Sequence, residues 1–507
     1  MGHWLRRDAA IFGLMALALG ALMAATIRHP GYTDAYYYFN AGQRLVAGQG
    51  LTDVAIWTYV GDPPGLPAPA HLYWMPLPSL IAALGMALGG PSFDAAQIPF
   101  VVLYGGIVVT GFIVGALLGG RHTAWLAGLP TLFSGFYMPY WTTTATFGPF
   151  GLAGSLCLLA LGLARKSGGR AWYAAAGGLA GLSHLARADG LLLVGVLALV
   201  ALWPAPGRRP DLRGLTLGLV AYTAVMAPWF ARNMSVTGSI LPAGGLDTAW
   251  MRSYDEIAAY PPGARLDEFL AWGAGNILTS RGEALALNVQ RFIAEQGMVI
   301  LAPLMLIGLW RRRRDPLLAG FWPYALALHV LMTLVFAFPG PRGGLFHSAA
   351  ALLPFWAALG ALGLDDVIGW LARCRGWRVL EAQRFFGAAL ILWAAALSAW
   401  VFIGKAAAWD QAGASFRDLP LPQGAVVAIN DPPALYYFTG RWGVPLPDAP
   451  PESLLDLAAR YGVNYVVVDA NRTRPMDDLW EGRNVPAFLE PVAWDGRSRV
   501  YRIRDSE

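Results

Sequence analysis

Apolar runs of about 15 to 22 residues recur along the first four-fifths of the chain, and they constrain its fold more than any other feature. An α-helix rises 1.5 Å per residue, so a run of this length crosses a hydrocarbon core of roughly 30 Å. Of the 507 residues, 56% are hydrophobic and only 14% are charged. A soluble domain has about 25% charged residues to cover its surface. The sequence therefore predicts an α-helical polytopic membrane protein.

We predict about 11 transmembrane helices from these runs. They lie at residues 9–27, 98–118, 123–137, 149–163, 171–185, 190–203, 215–230, 298–310, 317–338, 349–364 and 385–403. A cleaved signal peptide is the alternative for the first run, because small residues lie near Ala24 and Ala25. A shorter run at residues 77–88 predicts an interfacial or re-entrant helix that does not cross the bilayer.

Arginine clusters between the apolar runs predict how the chain is inserted, because cytoplasmic loops carry an excess of Lys and Arg. With residues 77–88 left out of the count, these clusters fall on one face. They are Arg6 and Arg7, Arg121, Arg165 with Lys166 and Arg170, Arg208 with Arg209 and Arg213, Arg311 to Arg314, and Arg373 to Arg384. The protein is then a multi-pass protein of the inner or plasma membrane, with a cytoplasmic N-terminus and an extracytoplasmic C-terminus. The net charge of +5 reflects this topology rather than nucleic-acid binding.

This topology predicts two domains. Residues 1–404 form a transmembrane domain with large external loops at about residues 29–97 and 239–296. Residues 405–507 have a different pattern, with fewer apolar runs, and they predict a small extracytoplasmic α/β domain.

Short periodic segments within the tail support the α/β prediction. Residues 424–430 and 465–469 have the composition of buried strands, and residues 452–461 have that of a helix. Residues 498–504 alternate between apolar and polar side chains, which predicts an edge strand. Cysteine usage adds no constraint, because the two cysteines are far apart and form neither a disulfide framework nor a CxxC metal site.

Three arginines lie on the face where positive charge is normally depleted, and Arg187 is the sharpest case. It shares the turn Ala-Arg-Ala-Asp-Gly with Asp189, between apolar runs of only about 14 or 15 residues. Runs this short indicate that the turn lies below the membrane surface, where a charge is costly unless it is paired or binds a ligand. Two interpretations stay open, a structural Arg187–Asp189 ion pair and an anion site for a phosphate.

The other two arginines are Arg232 and Arg342. Arg232 follows Pro-Trp-Phe-Ala and precedes Asn233, so it is either a snorkelling residue at an aromatic belt or a ligand-binding residue. Arg342 lies in Pro-Gly-Pro-Arg-Gly-Gly, with His347 about one turn further on. A Gly/Pro-rich loop that ends at a helix N-terminus can hold an anion, and a plain loop is the alternative.

Asp34 is the first carboxylate after the opening span, in the sequence Gly-Tyr-Thr-Asp-Ala-Tyr-Tyr-Tyr. Its position suits the N-cap of a helix that begins near Ala35. A carboxylate held at a membrane surface beside aromatic rings can also act as a general base for a hydroxyl group. Downstream, His71, Tyr73 and Trp74 place further polar aromatic side chains just before the interfacial helix. The residues alone leave both roles of Asp34 open.

The order of these motifs resembles the GT-C class of polyprenyl-phosphate-dependent glycosyltransferases, specifically the bacterial branch of protein mannosyltransferases and aminoarabinose transferases. The matching features are Asp34 after the first span, an amphipathic helix over residues 37–48, Trp-Met-Pro-Leu at residues 74–77 with the short helix that leads to Gly89 and Gly90, the Arg187–Asp189 turn, Pro228 and Trp229 with Arg232 and Asn233, and Arg342 with Pro354. One position departs from the family. Many relatives carry Asp-Glu at the catalytic position, whereas Ala35 follows Asp34 here.

The resemblance implies a GT-C-like membrane fold and a mechanism. A sugar would pass from a polyprenyl-phosphate donor to an acceptor hydroxyl on the outer face of the membrane, with inversion and with Asp34 as general base. The residues implied for the donor phosphate are Arg187, Arg342, Arg232 and His347. Those implied for the sugar or the acceptor are Tyr37, His71, Tyr73, Trp74, Asp189 and Asn233. The acceptor is an unspecified lipid, glycan or protein, and no cofactor is implied; a single acid weakens the case for a divalent metal.

Three alternatives differ from a glycosyltransferase in testable ways. A transporter would place its ionisable residues near the bilayer midplane and would often show internal repeats, whereas these residues cluster at one face. A ligase or flippase of envelope lipids would share the topology but would use different loops. An inactive homologue with a structural role stays open because Ala35 replaces the second acid.

The predicted sidedness can be measured with reporter fusions. Because arginine clusters mark the cytoplasmic face, a reporter that is active only outside the cytoplasm should be active when fused within residues 29–97. The same reporter fused at residues 311–314 should be inactive. A cytosolic signal from residues directly after the opening helix would contradict the topology.

Overall fold

The structure is a computed structural model that describes residues 3–203, 209–241 and 244–504; Arg208, from one predicted cytoplasmic cluster, lies outside these ranges. Its α-helices are α1 (His3–Thr26), α2 (Thr33–Val46), α3 (Leu77–Gly89), α4 (Phe93–Leu132), α5 (Phe147–Ser167), α6 (Arg170–Ala186), α7 (Leu192–Leu202), α8 (Leu212–Thr237), α9 (Leu266–Ala271), α10 (Ala274–Arg291), α11 (Ala302–Arg312), α12 (Phe321–Val330), α13 (Leu345–Ala349), α14 (Leu353–Arg375), α15 (Val379–Arg417), α16 (Pro432–Thr439), α17 (Ser453–Tyr461) and α18 (Asp477–Glu481). Its strands are β1 (Thr52–Asp53), β2 (Ala68–Pro69), β3 (Val426–Ile429), β4 (Trp442–Pro445), β5 (Tyr465–Asp469), β6 (Leu489–Trp494) and β7 (Ser498–Ile503).

Among the described residues, seven helical segments are long and apolar enough to span a membrane. They are His3–Thr26, Phe93–Leu132, Phe147–Ser167, Leu212–Thr237, Pro316–Val335, Gly340–Arg375 and Val379–Arg417. The predicted multi-pass α-helical class is therefore confirmed. The count of about 11 spans stays a prediction, because several apolar helices, such as α7, are shorter.

Helix α4 covers two predicted spans, residues 98–118 and 123–137, in one run of 40 residues. A break at Gly120 separates them, because its φ of 80° lies in the left-handed region that glycine adopts without steric cost. The helix ends at Leu132, so the second span is shorter than predicted. The run predicted at residues 77–88 is helix α3 and ends at Gly89, as expected.

Contacts divide the chain into two compact units, and neither is continuous in sequence. The first unit comprises residues 1–26, 97–231 and 280–406. The second comprises residues 27–96, 232–279 and 407–507, so it combines the two predicted external loops with the tail. The boundary placed at residues 404 and 405 by the sequence stays a prediction.

In the second unit, the strands between residues 424 and 504 form one five-stranded sheet with the order β4-β3-β5-β7-β6. Strands β4, β3 and β5 are parallel, while β7 pairs antiparallel with both β5 and β6. The predicted α/β class of the tail is thus confirmed, as are the strands near residues 426 and 465 and the helix α17. The prediction of an edge strand at residues 498–504 is wrong, because β7 has a neighbour on each side.

The first predicted loop shares the core of this sheet. Ile56 and Tyr59 are buried with Val444, Leu457 and other side chains of the tail in one hydrophobic cluster. The Tyr59 hydroxyl donates to the Pro445 carbonyl at 2.6 Å. The strands β1 and β2 hold the two arms of the loop together as an antiparallel pair. The loop therefore folds with the tail as one packed body.

Glycines allow close approach of helices in the first unit. A Cβ built on Gly177 of α6 would lie 1.9 Å from the carbonyl oxygen of Gly218 in α8. A Cβ on Gly308 of α11 would lie 2.0 Å from the carbonyl oxygen of Leu359 in α14. Small residues at such crossings allow van der Waals packing between helices in lipid, where the hydrophobic effect supplies little.

Substitution of Gly177 tests this packing, and its neighbour provides a matched control. Gly177→Ala should lower the unfolding temperature in detergent, because its methyl group meets backbone that cannot move aside; overpacking of this kind costs about 1 to 3 kcal/mol. Gly178→Ala should not lower it, since no atom lies within 4 Å of a Cβ there. Equal unfolding temperatures for the two variants would contradict the close crossing of α6 and α8.

Candidate active site

Asp34 lies in the first turn of α2, the helix that follows the opening span. The helix begins at Thr33 and its N-cap is Tyr32, so the interpretation of Asp34 as the N-cap residue is wrong. A carboxylate in a first turn interacts favourably with the positive end of the helix dipole. The side chain is neither fully buried nor fully exposed. Its position is therefore compatible with a polar ligand and with helix stability.

The apolar residues of α2 explain why this helix forms next to the first span. Ala35, Tyr36, Tyr37, Tyr38 and Phe39 are all buried, which fixes the helix over more than one turn. Its most buried aromatic ring is that of Tyr38, with 1% of its surface exposed. Burial of each such ring removes about 150 to 250 Å² from water, so the helix is well anchored.

Tyr37, His71 and Trp74, three predicted site residues, form one aromatic cluster in the second unit. The Tyr37 ring lies 5.4 Å from that of His71 and 5.1 Å from that of Trp74. The backbone N–H of His71 donates to the Tyr37 hydroxyl at 2.8 Å. Its Nδ1 lies 3.2 Å from the Trp74 carbonyl, so the neutral imidazole donates there. The structure thus brings these three predicted residues together, and their role in binding stays a prediction.

His71 is constrained in two ways. Its φ of 62° is uncommon for a residue with a side chain, which is a feature that recurs at functional sites. Burial and the nearby Arg232 guanidinium lower the pKa of His71 to about 3. The ring is therefore neutral at physiological pH and does not act as a cation toward a phosphate.

Trp57 belongs to the same cluster, although the sequence interpretation omitted it. Its ring stacks on that of Trp74 with a centroid distance of 3.9 Å and an interplanar angle of 14°. The Tyr73 ring packs edge-on against Trp57 at 5.5 Å. Trp57, Tyr73 and Trp74 are only partly buried, so this end of the cluster is accessible. The available signal was a tryptophan in a Gly- and Pro-rich loop, which is not specific.

Arg232 and Asn233, at the C-terminal end of α8, have contacts within the second unit. Arg232 Nη2 donates to the Ala70 carbonyl at 2.6 Å, directly before His71. This bond links the end of α8 to the loop that carries the predicted residues His71, Tyr73 and Trp74. Asn233 is buried and its Nδ2 donates to the Ile240 carbonyl at 3.2 Å, which fixes the turn after α8.

Asp53 is a second carboxylate of this unit that the sequence interpretation missed. It is buried in β1, and its Oδ1 accepts the backbone N–H of Ala55 at 2.9 Å. Burial raises the pKa of Asp53 to about 6, and the Ala55 bond and the Arg44 guanidinium oppose this shift. Asp53 also interacts electrostatically with the Tyr37 hydroxyl. It is therefore a titratable group next to the aromatic cluster.

In the first unit, Arg187 and Asp189 form the ion pair that the sequence suggested. Arg187 Nε lies 3.0 Å from Asp189 Oδ1, and the two side chains are only 18% and 9% exposed. Ser348, which was not predicted, completes the pair: its hydroxyl donates to Asp189 and accepts from Arg187 Nε at 2.9 Å. The structural interpretation of the pair is thus realised, and a phosphate-binding role stays a prediction.

His347 and Arg342 lie on the segment that leads to Ser348. His347 is buried; its Nδ1 lies 2.7 Å from the Thr146 hydroxyl, and its ring stacks on Phe147 at 4.0 Å. Arg342 is exposed in a π-helical turn, Gly340–Gly344, and its proposed role at an anion site stays a prediction. Arg342 and His347 therefore differ in access, since only the arginine faces solvent or lipid.

The predicted site residues thus form two groups, one in each unit. Arg187, Asp189, Arg342 and His347 belong to the first, and the other predicted residues belong to the second. Within each group the structure brings residues together that are far apart in sequence, such as Arg187 with Ser348. The expectation that Asp34, Arg187 and Arg342 face one cavity stays a prediction.

No protein-family model matches this sequence, and no curated protein matches it by sequence. Solved structures do share its fold. ArnT from Cupriavidus metallidurans bound to undecaprenyl phosphate aligns over 97% of both chains with a TM-score of 0.59 and 15% identity. An oligosaccharyltransferase from Archaeoglobus fulgidus aligns over 90% of this chain and 68% of its own, with a TM-score of 0.54 and 13% identity. The arabinofuranosyltransferase AftD from Mycobacteria aligns over 99% of this chain but 40% of its own, with a TM-score of 0.50 and 16% identity.

These solved proteins are GT-C glycosyltransferases, so the GT-C fold predicted from the sequence is confirmed. The alignment with ArnT spans nearly all of both chains, including the tail. Identities this low show a common fold and leave the activity to be argued from the site residues.

The raised pKa of Asp53 predicts how stability depends on pH. An unfolded Asp has a pKa near 3.9, so the buried carboxyl group favours folding below about pH 4, and this contribution is lost as the pH rises through about 6. Asp53→Asn keeps an acceptor for the Ala55 N–H but cannot ionise. The variant and the wild type should unfold alike at pH 4, and the variant should gain about 3 kcal/mol by pH 7.5.

Thermal unfolding in detergent across this pH range measures the effect. Asp62→Asn, on an exposed side chain of the same loop, is the matched control and should show no comparable gain. A constant difference between Asp53→Asn and the wild type at every pH would contradict a titrating Asp53.

Proposed function

We propose that this chain, which has the GT-C fold, is a membrane glycosyltransferase that moves a sugar from a polyprenyl-phosphate donor to an acceptor hydroxyl. The observation that carries the proposal is the position of Asp34. In a chain with the GT-C fold over its whole length, a carboxylate lies in the first turn of the helix directly after the first span. The sequence resemblance assigns the catalytic carboxylate to this position.

The proposed reaction is a single displacement. The acceptor oxygen forms a bond to the anomeric carbon while the bond from that carbon to the phosphate oxygen breaks, so the configuration inverts. Asp34 takes the proton of the acceptor hydroxyl, and polyprenyl phosphate leaves with the bonding electrons. A carboxylate within hydrogen-bond reach of the hydroxyl can supply about 10²- to 10⁴-fold in rate by such proton transfer.

The leaving phosphate gains negative charge in this step. We propose that arginine side chains bind the phosphate and stabilise this charge. Guanidinium groups suit this role because they stay protonated and present paired N–H donors to phosphate oxygens. Arg342 is exposed, and Arg187 is held in place by Asp189 and Ser348. Preorganised charge of this kind stabilises the transition state more than the ground state. Arg232 and His347 complete the proposed set as hydrogen-bond donors.

The aromatic cluster supports sugar binding. The half-buried rings of Trp57, Tyr73 and Trp74 offer flat apolar faces and polar edges, which suit the faces of a sugar ring. Tyr37 and His71 are buried and would brace Trp74 from behind rather than contact the sugar themselves. Asp189 and Asn233 are assigned to the sugar or the acceptor by the resemblance alone.

A lipid-linked donor agrees with the predicted topology. Nucleotide sugars are cytoplasmic, whereas the residues after the first span are predicted to face outward. ArnT, with the same fold over nearly its whole length, was solved with undecaprenyl phosphate bound. The proposed donor is therefore a lipid-linked sugar that reaches the enzyme from the membrane.

A transfer assay tests the proposal. Purified wild-type protein in lipid vesicles receives radiolabelled undecaprenyl-phosphate hexoses and pentoses together with envelope extract. Label should move to an acceptor fraction, and Asp34→Asn should lower kcat at least 100-fold because the amide cannot take the proton. Donor binding should remain, since the change leaves the helix and the arginines intact.

Asp94→Asn provides the matched control. Asp94 also lies in the first turn of a helix, α4, and it is exposed, so its loss alters a helix-dipole contact without touching the proposed base. The control variant should transfer sugar at nearly the wild-type rate. Unchanged transfer by Asp34→Asn would refute the base assignment, and no transfer by the wild type from any donor of the panel would refute the glycosyltransferase proposal.

A further inference from the structure

Asp431 is the N-cap residue of the tail helix α16, and its carboxylate has two donors. Its Oδ1 accepts the backbone N–H of Ala434 at 3.1 Å, which caps α16. Its Oδ2 accepts the hydroxyl of Thr33 at 2.8 Å, across 398 residues of sequence. Each carboxylate oxygen is thus used, one for the tail helix and one for the first residue of α2.

One face of α2 packs along α16. Asn40 lies seven residues after Thr33, which is two turns along the same face of a helix, and its Nδ2 donates to the Pro433 carbonyl at 2.9 Å. Between these two bonds, the Tyr36 ring lies 5.1 Å from that of Tyr437. Polar bonds at both ends and a ring contact between them fix the rotation and the height of α2 against α16.

The first turn of α2 has a side-chain bond from the tail. Its N-cap residue, Tyr32, makes no capping hydrogen bond from its side chain. First turns are the part of a helix most prone to fray, and a side-chain bond there opposes fraying. The Thr33–Asp431 bond supplies such a link between this turn and the tail. Asp34 is the next residue, so its carboxylate moves with this turn.

We infer that Asp431 is a positioning residue, which holds the catalytic turn of α2 through Thr33 so that Asp34 stays aligned for proton transfer. This inference rests on the proposed function of Asp34. Burial of the Asp431 carboxyl group raises its pKa to about 6, and the Thr33 bond opposes the shift. At neutral pH the group is therefore ionised, and a hydrogen bond to an ionised carboxylate is stronger than one between neutral groups.

In this arrangement the first external loop carries the proposed base, and the tail holds it in position. A reacting hydroxyl and its base must lie within about 3 Å, and a misplacement of about 1 Å can cost 100-fold in rate. A frayed first turn would leave donor binding intact and would lower the fraction of time in which Asp34 is aligned. The tail thus contributes to kcat without contacting the sugar.

Two substitutions of Thr33 distinguish the effect of its hydrogen bond to Asp431 from the effect of its side-chain packing. Thr33→Val keeps the branched shape and removes the hydroxyl, whereas Thr33→Ser keeps the hydroxyl and removes the methyl group. Thr33→Val should lower kcat about 10- to 100-fold, with the KM for the undecaprenyl-phosphate sugar changed less than about 2-fold. Thr33→Ser should restore kcat to within about 3-fold of the wild type.

Asp431→Ser tests the other partner. Serine is a good N-cap and keeps the start of α16, but its side chain is too short to reach Thr33. It should lower kcat to the same extent as Thr33→Val, and the double variant should lose no more than either single variant, because both remove one interaction.

Hydrogen–deuterium exchange of residues 33–38 measures how often the first turn of α2 opens, independently of catalysis. The amide of Tyr36 donates to the Tyr32 carbonyl at 3.0 Å, so fraying of the first turn exposes it. Thr33→Val and Asp431→Ser should raise its exchange rate about 10-fold, and Thr33→Ser should leave it unchanged.

The outcomes of these experiments are distinguishable from those for Asp34. If Asp34→Asn abolishes transfer while Thr33→Val keeps both kcat and slow exchange, the inference is wrong and the proposed function stands. Equal losses for Thr33→Val and Thr33→Ser would show a packing role only and would also overturn it. If the wild type transfers no sugar, the proposed function fails, and a role of Asp431 in aligning a base fails with it, whatever the exchange rates show about the turn.

Discussion

The cost of placing polar groups in hydrocarbon determines most of this structure. Backbone N–H and C=O groups in lipid must be satisfied within one segment, so the chain crosses the membrane as helices. The same cost acts on side chains, because a charge in a membrane helix needs a partner. Arg187, directly after α6, has among its partners the carboxylate of Asp189 and the hydroxyl of Ser348. A guanidinium fixed in this way has a defined direction.

The elements that follow from local physics could be predicted from the sequence. Span positions depend on apolar length alone, and the Arg187–Asp189 pair follows from two charges in one short turn. Ser348 could not be foreseen in the same way, because it lies 161 residues from Arg187 and a serine in an apolar run has no distinctive signal. Partners that are distant in sequence come from packing, and an isolated sequence contains no record of that packing.

The errors in the second unit have the same origin. Alternation at residues 498–504 was interpreted as an edge strand, but an inner antiparallel strand alternates too when one face of its sheet is solvated. Trp57 and Asp53 lie in a Gly- and Pro-rich loop without periodicity, so no pattern marked them. They were missed because their neighbours in the fold are distant in sequence, Trp74 for Trp57 and Tyr37 for Asp53.

The cost of burying a polar group also bears on Ala35, which replaces the second acid after Asp34. Proton transfer from one hydroxyl needs one base, so a single carboxylate suffices if its position is fixed. Ala35 is fully buried, so a second carboxylate at this position would carry a desolvation cost. The N-cap residue of the helix makes no side-chain cap, and the Thr33–Asp431 bond links the turn that carries Asp34 to the tail. In the proposed mechanism, alignment of Asp34 by packing takes the place of a second acid beside it.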